Sequence, residues 1–204
     1  MSTNQTIMLR NLAGVFFLSG FSALIYQIAW QRLLFTSFGV DLTSITIIIS
    51  IFMTGLGIGA FFGGRIADIA QKKTLIIFCL IEALIGVYGF FSVQIIHLIN
   101  DLSTNASDLT IMVIVFAVLL PPTFMMGATL PLLTAFFNKR IKNIGESIGT
   151  LYFTNTLGAA CGALSTGFVF FAMLGMKSTV LIACCLNLFI SVVVFVMYGL
   201  KKND

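Results

Sequence analysis

One carboxylate in this sequence stands where a carboxylate is costly. Glu82 occurs in TLIIFCLIEALIGVYGFF, eight residues past Thr74, in a run with no other charged side chain. At ~1.5 Å of helix rise per residue it would lie about 12 Å inside that run. A charged side chain at such depth in hydrocarbon must be paired or face water, so Glu82 is a candidate proton-coupling group or cation site. Amides form a second set: Asn155 in LYFTNTLG, with Tyr152 and Thr156 a helical turn or less away, and Asn187 further on. Burying an amide in lipid is unfavourable, so both should face a bundle interior, as interhelical glue or as ligand-binding groups. The third set is YQIAWQRLL, Tyr26 to Leu34. Gln27 and Gln31 share one helix face, and Tyr26 and Trp30 share another. The aromatic pair reads as an interfacial belt, while Tyr26 and Gln27 also point to cargo. Arg32 needs an anion, and Asp41 is the acidic residue nearest to it in the segment that follows. An Arg32–Asp41 pair is therefore predicted to fold the segment FTSFGV back over the bundle. His97 has no evident metal partner, and Cys79, Cys161, Cys184 and Cys185 show neither zinc spacing nor a disulfide framework. No catalytic residue, metal site or cofactor is expected.

The elements that position these residues follow from composition. Hydrophobic residues make up 59% of the 204, charged residues 9%, and mean hydropathy is +1.09. That balance belongs to an integral membrane protein in a lipid bilayer. Spans of ~20 apolar residues cross the bilayer, and six are predicted: Leu12–Trp30, Ser44–Gly64, Thr74–Ile99, Leu109–Phe137, Ser147–Leu174 and Thr179–Leu200. The runs do not alternate polar with apolar residues as barrel strands would, so the fold class is all-α, a single six-helix transmembrane domain over residues 1–204. The first run exceeds a secretory signal core and lacks a small-residue cleavage site, so it reads as a retained helix.

Orientation comes from the basic residues of the short loops. With the N-terminus inside, Arg10, Arg65, Lys72, Lys73, Lys139, Arg140, Lys142, Lys201 and Lys202 face the cytoplasm, and Arg32 and Lys177 face out. Both termini are thus expected in the cytoplasm, the chain lying in the cell inner (plasma) membrane. The net charge of +4 is a topology signal and gives no reason to expect nucleic acid as a partner. Glycines mark close packing: Gly55, Gly59 and Gly63 in TGLGIGAFFGG, and Gly158 and Gly162 in LGAACGAL, recur every four residues and form flat strips. Pro121 and Pro122 remove two backbone donors and are expected to kink or loosen the fourth span, with Thr123 and Thr129 back-bonding to the carbonyls there.

After the second span comes GGRIADIAQKK. Gly64, Ile66, Ala67 and Asp68, followed by Lys72 and Lys73, resemble the loop signature of the major facilitator superfamily, G-x-L-a-D-r-x-G-r-k, which lies between its second and third helices. Gln71 stands where that family has glycine, and Ile69 where it often has arginine. The resemblance implies that Arg65, Asp68, Lys72 and Lys73 latch the cytoplasmic helix ends. Four ordered blocks, FLSGFSALIYQIAWQRLL, SIFMTGLGIGAFFGGRIAD, LLPPTFMMGATLPLL and GTLYFTNTLGAACGALSTGFVF, are similar to the transmembrane region of membrane-bound spermidine-synthase-like proteins. No glycine-rich strand-to-helix loop with a following acidic residue is present to hold an adenosyl cofactor, so aminopropyl transfer is not expected. The resemblance implies half of a facilitator fold; one half by itself would expose polar helix faces to lipid, so a parallel homodimer is expected to complete it, with Glu82, Tyr26, Gln27 and Asn155 lining a midplane site, and the resemblance makes polyamine-like cations the first cargo to test. The alternative is a non-transporting subunit that docks a soluble aminopropyltransferase-like partner.

Overall fold

The computed structural model describes residues 3–38, 42–70, 73–103, 106–138 and 144–199. Among these residues there are six membrane-length helical rods and no strand. They are α1 (Thr3–Phe38), α2 (Leu42–Ile69), α3 (Thr74–Leu102), α4 (Asp108–Asn138), α5 (Ile144–Ser165) and α6 (Gly175–Val194). A π-helical turn, Thr166–Phe170, and a short α-helical segment, Phe171–Met173, extend α5, and a second π-helical turn, Phe195–Gly199, extends α6. Between α5 and α6 the chain turns at Gly175, whose φ of 72° lies in the left-handed region that a side chain disfavours. The order and number of spans match the sequence expectation.

One detail differs. Helix α1 continues through Phe38 rather than ending near Trp30, so Phe35 to Phe38 of the expected outer loop are helical. Helix α4 is one continuous helix that contains Pro121, Pro122 and Pro131. A proline at position i leaves the carbonyl at i−4 without its helical donor. Here the Tyr88 hydroxyl of α3 donates to the Val118 carbonyl at 2.7 Å, replacing the bond Pro122 cannot make. Thr123 Oγ1 donates to the carbonyls of Leu119 and Leu120 at 2.8 and 3.0 Å, as the sequence predicts.

Lipid tails are as apolar as leucine, so helices associate in a bilayer by close packing rather than by expulsion of water. Helix α2 packs most extensively on α4, and α1 on α5. Glycines make both approaches possible. A Cβ on Gly59 would run into the carbonyl of Phe124, and one on Gly127 into that of Leu56. In the other seam a Cβ on Gly158 would strike the Phe17 carbonyl, and one on Gly20 the Asn155 carbonyl. These contacts repeat in register. Phe124 lies three residues before Gly127 and Phe17 three before Gly20; Leu56 lies three before Gly59 and Asn155 three before Gly158. Exchanging α1 with α4 and α2 with α5 therefore maps one seam onto the other. Antiparallel neighbours in sequence make this an inverted repeat of three helices.

Two buried apolar clusters fill the bundle. One holds Ile25, Trp30, Phe52, Ile85, Val93 and Val180; the other holds Leu12, Phe16, Leu75, Phe78, Leu132, Ile190 and Val194. Along α1, α3 and α6 the chain passes from one cluster to the other through Ser19 and Ser22, Glu82, and Asn187. A thin polar layer thus lies between two apolar ones.

Candidate functional site

Glu82 sits in that layer with 0% exposure. Its carboxylate accepts hydrogen bonds from Ser19 Oγ of α1 at 2.8 Å and from Asn187 Nδ2 of α6 at 2.6 Å. Three helices are tied at one level by one side chain. The register explains why: α1 and α3 run parallel with residue i of α1 beside about i+63 of α3, as Ser19 beside Glu82 and Trp30 beside Ser92 show. A buried charge is destabilising unless donors replace its water, and short charge-assisted bonds are the strong kind.

Next to this layer lies a cavity of about 260 Å³. Ser19, Asn155, Tyr152, Thr129 and Asn187 supply its polar wall; Leu56, Ile85, Met126 and Leu130 supply its apolar wall. Ala60 and Tyr152 on its lining are exposed, so it opens on the face formed by α2 and α5. Five pairs of lining residues are equivalent under the inverted repeat: Ser19 with Met126, Gly20 with Gly127, Ala23 with Leu130, Leu56 with Asn155, and Ala60 with Ala159. The cavity therefore straddles the axis that relates the two three-helix units. Its polarity does not obey that axis. Met126 and Leu56 do on one side, with apolar groups, the packing that Ser19 and Asn155 do on the other, so packing alone does not call for the polar pair.

Of the residues predicted to line a site, Asn155 is on the cavity wall and Glu82 stands one side chain behind it, bonded to Ser19 and Asn187. Tyr26 and Gln27 are not on that wall. Tyr26 is buried, with its hydroxyl wedged against Gly89 and no hydrogen-bond partner, and its ring stacks on Trp30 at 5.0 Å. Trp30 is not an interfacial anchor. It has 0% exposure, donates from Nε1 to Ser92 Oγ at 2.9 Å and packs edge-on to Tyr88. The longer α1 carries the pair into the bundle, where an indole is stable because its one donor is satisfied. Gln27 is half-buried.

The exposed Arg32 guanidinium lies 4.7 Å from the Phe171 ring centroid, a cation–π contact that joins the end of α1 to the end of the fifth span. Its predicted partner Asp41 lies outside the described residues. On the opposite side Arg65 lies 4.3 Å over the Phe61 ring, and Asp68 and Lys73 are exposed; Lys72 lies outside the described residues. Pro121 is exposed and Pro122 buried. Among the described residues no three metal-binding side chains come together. Asn187 faces the bundle interior, as the cost of an amide in lipid predicts, whereas Ser19 is not singled out by the sequence. The spacing Ser19, Ser22, Tyr26 and Trp30 on one face of α1 was the available signal for Ser19.

No curated protein and no solved structure matches the chain. The family model for the Major Facilitator Superfamily matches residues 12–203. With six helices and an inverted three-helix repeat around a polar cavity, the chain belongs to the major facilitator superfamily.

Proposed function

We propose that the chain is a minimal transporter of small solutes, working as a parallel homodimer by alternating access, with polyamine-like cations as first cargo. The observation that carries this reading is the cavity on the repeat axis, polar on the side of Ser19, Asn155 and Asn187 and backed by Glu82. Substrate sites in transporters built from repeats lie at the repeat interface near the midplane. A carboxylate behind the wall favours a cationic cargo by its field, and the resemblance to spermidine-synthase-like membrane regions selects polyamines to test first. Dimerisation would close the open side of the cavity with a second copy.

The test is uptake of labelled spermidine into proteoliposomes by the wild type, Glu82→Gln and Asn155→Ala. Wild-type flux should be saturable, and each variant should lose roughly tenfold or more while inserting normally. Equal flux in all three removes the cavity from the mechanism. No flux from any of them, with co-purification of a soluble synthase, would favour a docking subunit.

A further inference from the structure

Asn187 is 3% exposed, and its two amide ends meet different surroundings. Nδ2 donates to Glu82, whereas Oδ1 is buried without a hydrogen-bond partner. The residue also lines the cavity, which Glu82 does not. An ionised carboxylate can only accept hydrogen bonds, so it holds the amide with its NH2 group inward; a protonated one has a hydroxyl to donate. We propose that Asn187 is a protonation-driven polarity switch for the cavity wall. When a proton from water joins Glu82 Oε2, the new O–H needs an acceptor. Half a turn of the amide about its Cβ–Cγ bond supplies Oδ1, the atom now unpartnered, and turns Nδ2 away from the carboxyl. The Ser19 bond to Oε1 persists through the change. With Glu82 ionised, the amide end turned away from it is the acceptor Oδ1, and with Glu82 neutral it is the donor Nδ2, on a residue that lines the cavity. The acceptor state suits an ammonium group and the donor state repels one, so proton binding expels a cationic cargo. No covalent bond changes other than the O–H that forms, and the same proton returns to water when the amide turns back.

No other acid-strength group competes at this depth. The titratable groups near Glu82 are the Tyr26 hydroxyl of α1 and the Cys79 thiol of α3, with Cys184 and Cys185 of α6 acting electrostatically on Tyr26. Tyr152 and Cys161 are those of the inner part of α5, and α2 and α4 bring none between residues 45 and 64 or 109 and 136. Lys and Arg side chains are absent from the same stretches.

The switch itself is independent of cargo; only its effect on binding rests on the transporter reading. Magnetic resonance of the full chain in lipid nanodiscs, labelled in asparagine side chains, reads the switch directly. The Asn187 signal is assigned by its loss in Asn187→Leu, and infrared difference spectra follow the carboxyl of Glu82. The Asn187 amide resonance should move in step with carboxyl protonation in the wild type and stay at one position at every pH in Glu82→Gln, whose amide does not titrate. An amide that stays fixed while the carboxyl titrates overturns the proposal, and this arm needs no variant to fold other than the one used for assignment. Binding of labelled spermidine in the same nanodiscs should weaken by roughly tenfold or more on acidification. An amide that moves without any spermidine binding leaves the switch standing and removes the polyamine reading instead.

Discussion

At the residue scale, Trp30 shows how far local pattern reaches. An aromatic pair beside an arginine at the end of an apolar run reads as a membrane boundary, and the run ends there in hydropathy only because two glutamines and Arg32 interrupt it. With α1 continued to Phe38, Trp30 meets Ser92 and Tyr88 of α3 and Arg32 lies over Phe171, contacts that single-span hydropathy does not contain. Truncating a buried indole in a core removes transfer free energy and leaves a cavity, at a cost of about 3–5 kcal/mol. Trp30→Ala should therefore lower thermal stability in detergent severely, whereas Trp30→Phe, which removes the Nε1 bond to Ser92 and part of the ring volume but keeps an aromatic ring, should cost less, about 1–3 kcal/mol. Thermal unfolding followed by size-exclusion chromatography distinguishes the cases. Near-wild-type stability of Trp30→Ala would return the residue to the membrane interface. By contrast, Glu82 is legible as a candidate because its cost is set by depth alone, a property that spacing along one helix conveys, and the structure buries it.

At the scale of elements, the glycine strips were legible as small-residue faces, but not which helix each one meets. That answer came from the repeat: a phenylalanine three residues before a packed glycine on α1 and α4, and G-A-x-x-G on α2 and α5. Two short patterns about a hundred residues apart in sequence, on helices of opposite direction, give no hydropathy signal, so nothing in the apolar periodicity reveals them. Because Gly59 and Gly158 occupy equivalent places, each pressed on a phenylalanine carbonyl, the two substitutions Gly59→Val and Gly158→Val should be equally damaging. Backbone cannot yield as a flexible side chain can, so both should abolish the monodisperse folded peak on fluorescence-detected chromatography. Gly14→Val, on the exposed side of α1 with nothing within 4 Å of its would-be Cβ, should leave that peak intact. A tolerated Gly158→Val beside a lethal Gly59→Val would mean that the two seams are not equivalent.

For the whole molecule, the distribution of exposed polar groups separates two faces. Outward residues of α3 and α6 in mid-span are apolar, among them Leu80, Leu84, Val87, Phe189 and Val192. On α2 and α5 the exposed residues include Ser50, Thr54, Tyr152 and Thr156. Hydrocarbon satisfies the first face completely, whereas hydroxyl groups in lipid are left to bond only to their own backbone. The cavity opens on the second face, where the lining residues Ala60 and Tyr152 stand exposed. A second copy placed there would cover the hydroxyls and complete the cavity with an identical wall, and a two-fold relation makes such a surface complementary to itself. Cysteine cross-linking in native membranes decides between the faces, in a background whose four native cysteines are replaced by alanine. Thr156→Cys, on the α5 face, should give a dimer band with a short bifunctional thiol reagent, and Leu84→Cys, on α3, should not. Cross-linking through Leu84→Cys alone would place the interface on the apolar side and leave the cavity open to lipid. In that arrangement two copies could not share one site, and alternating access by rocking of two protomers would have no hinge to turn about.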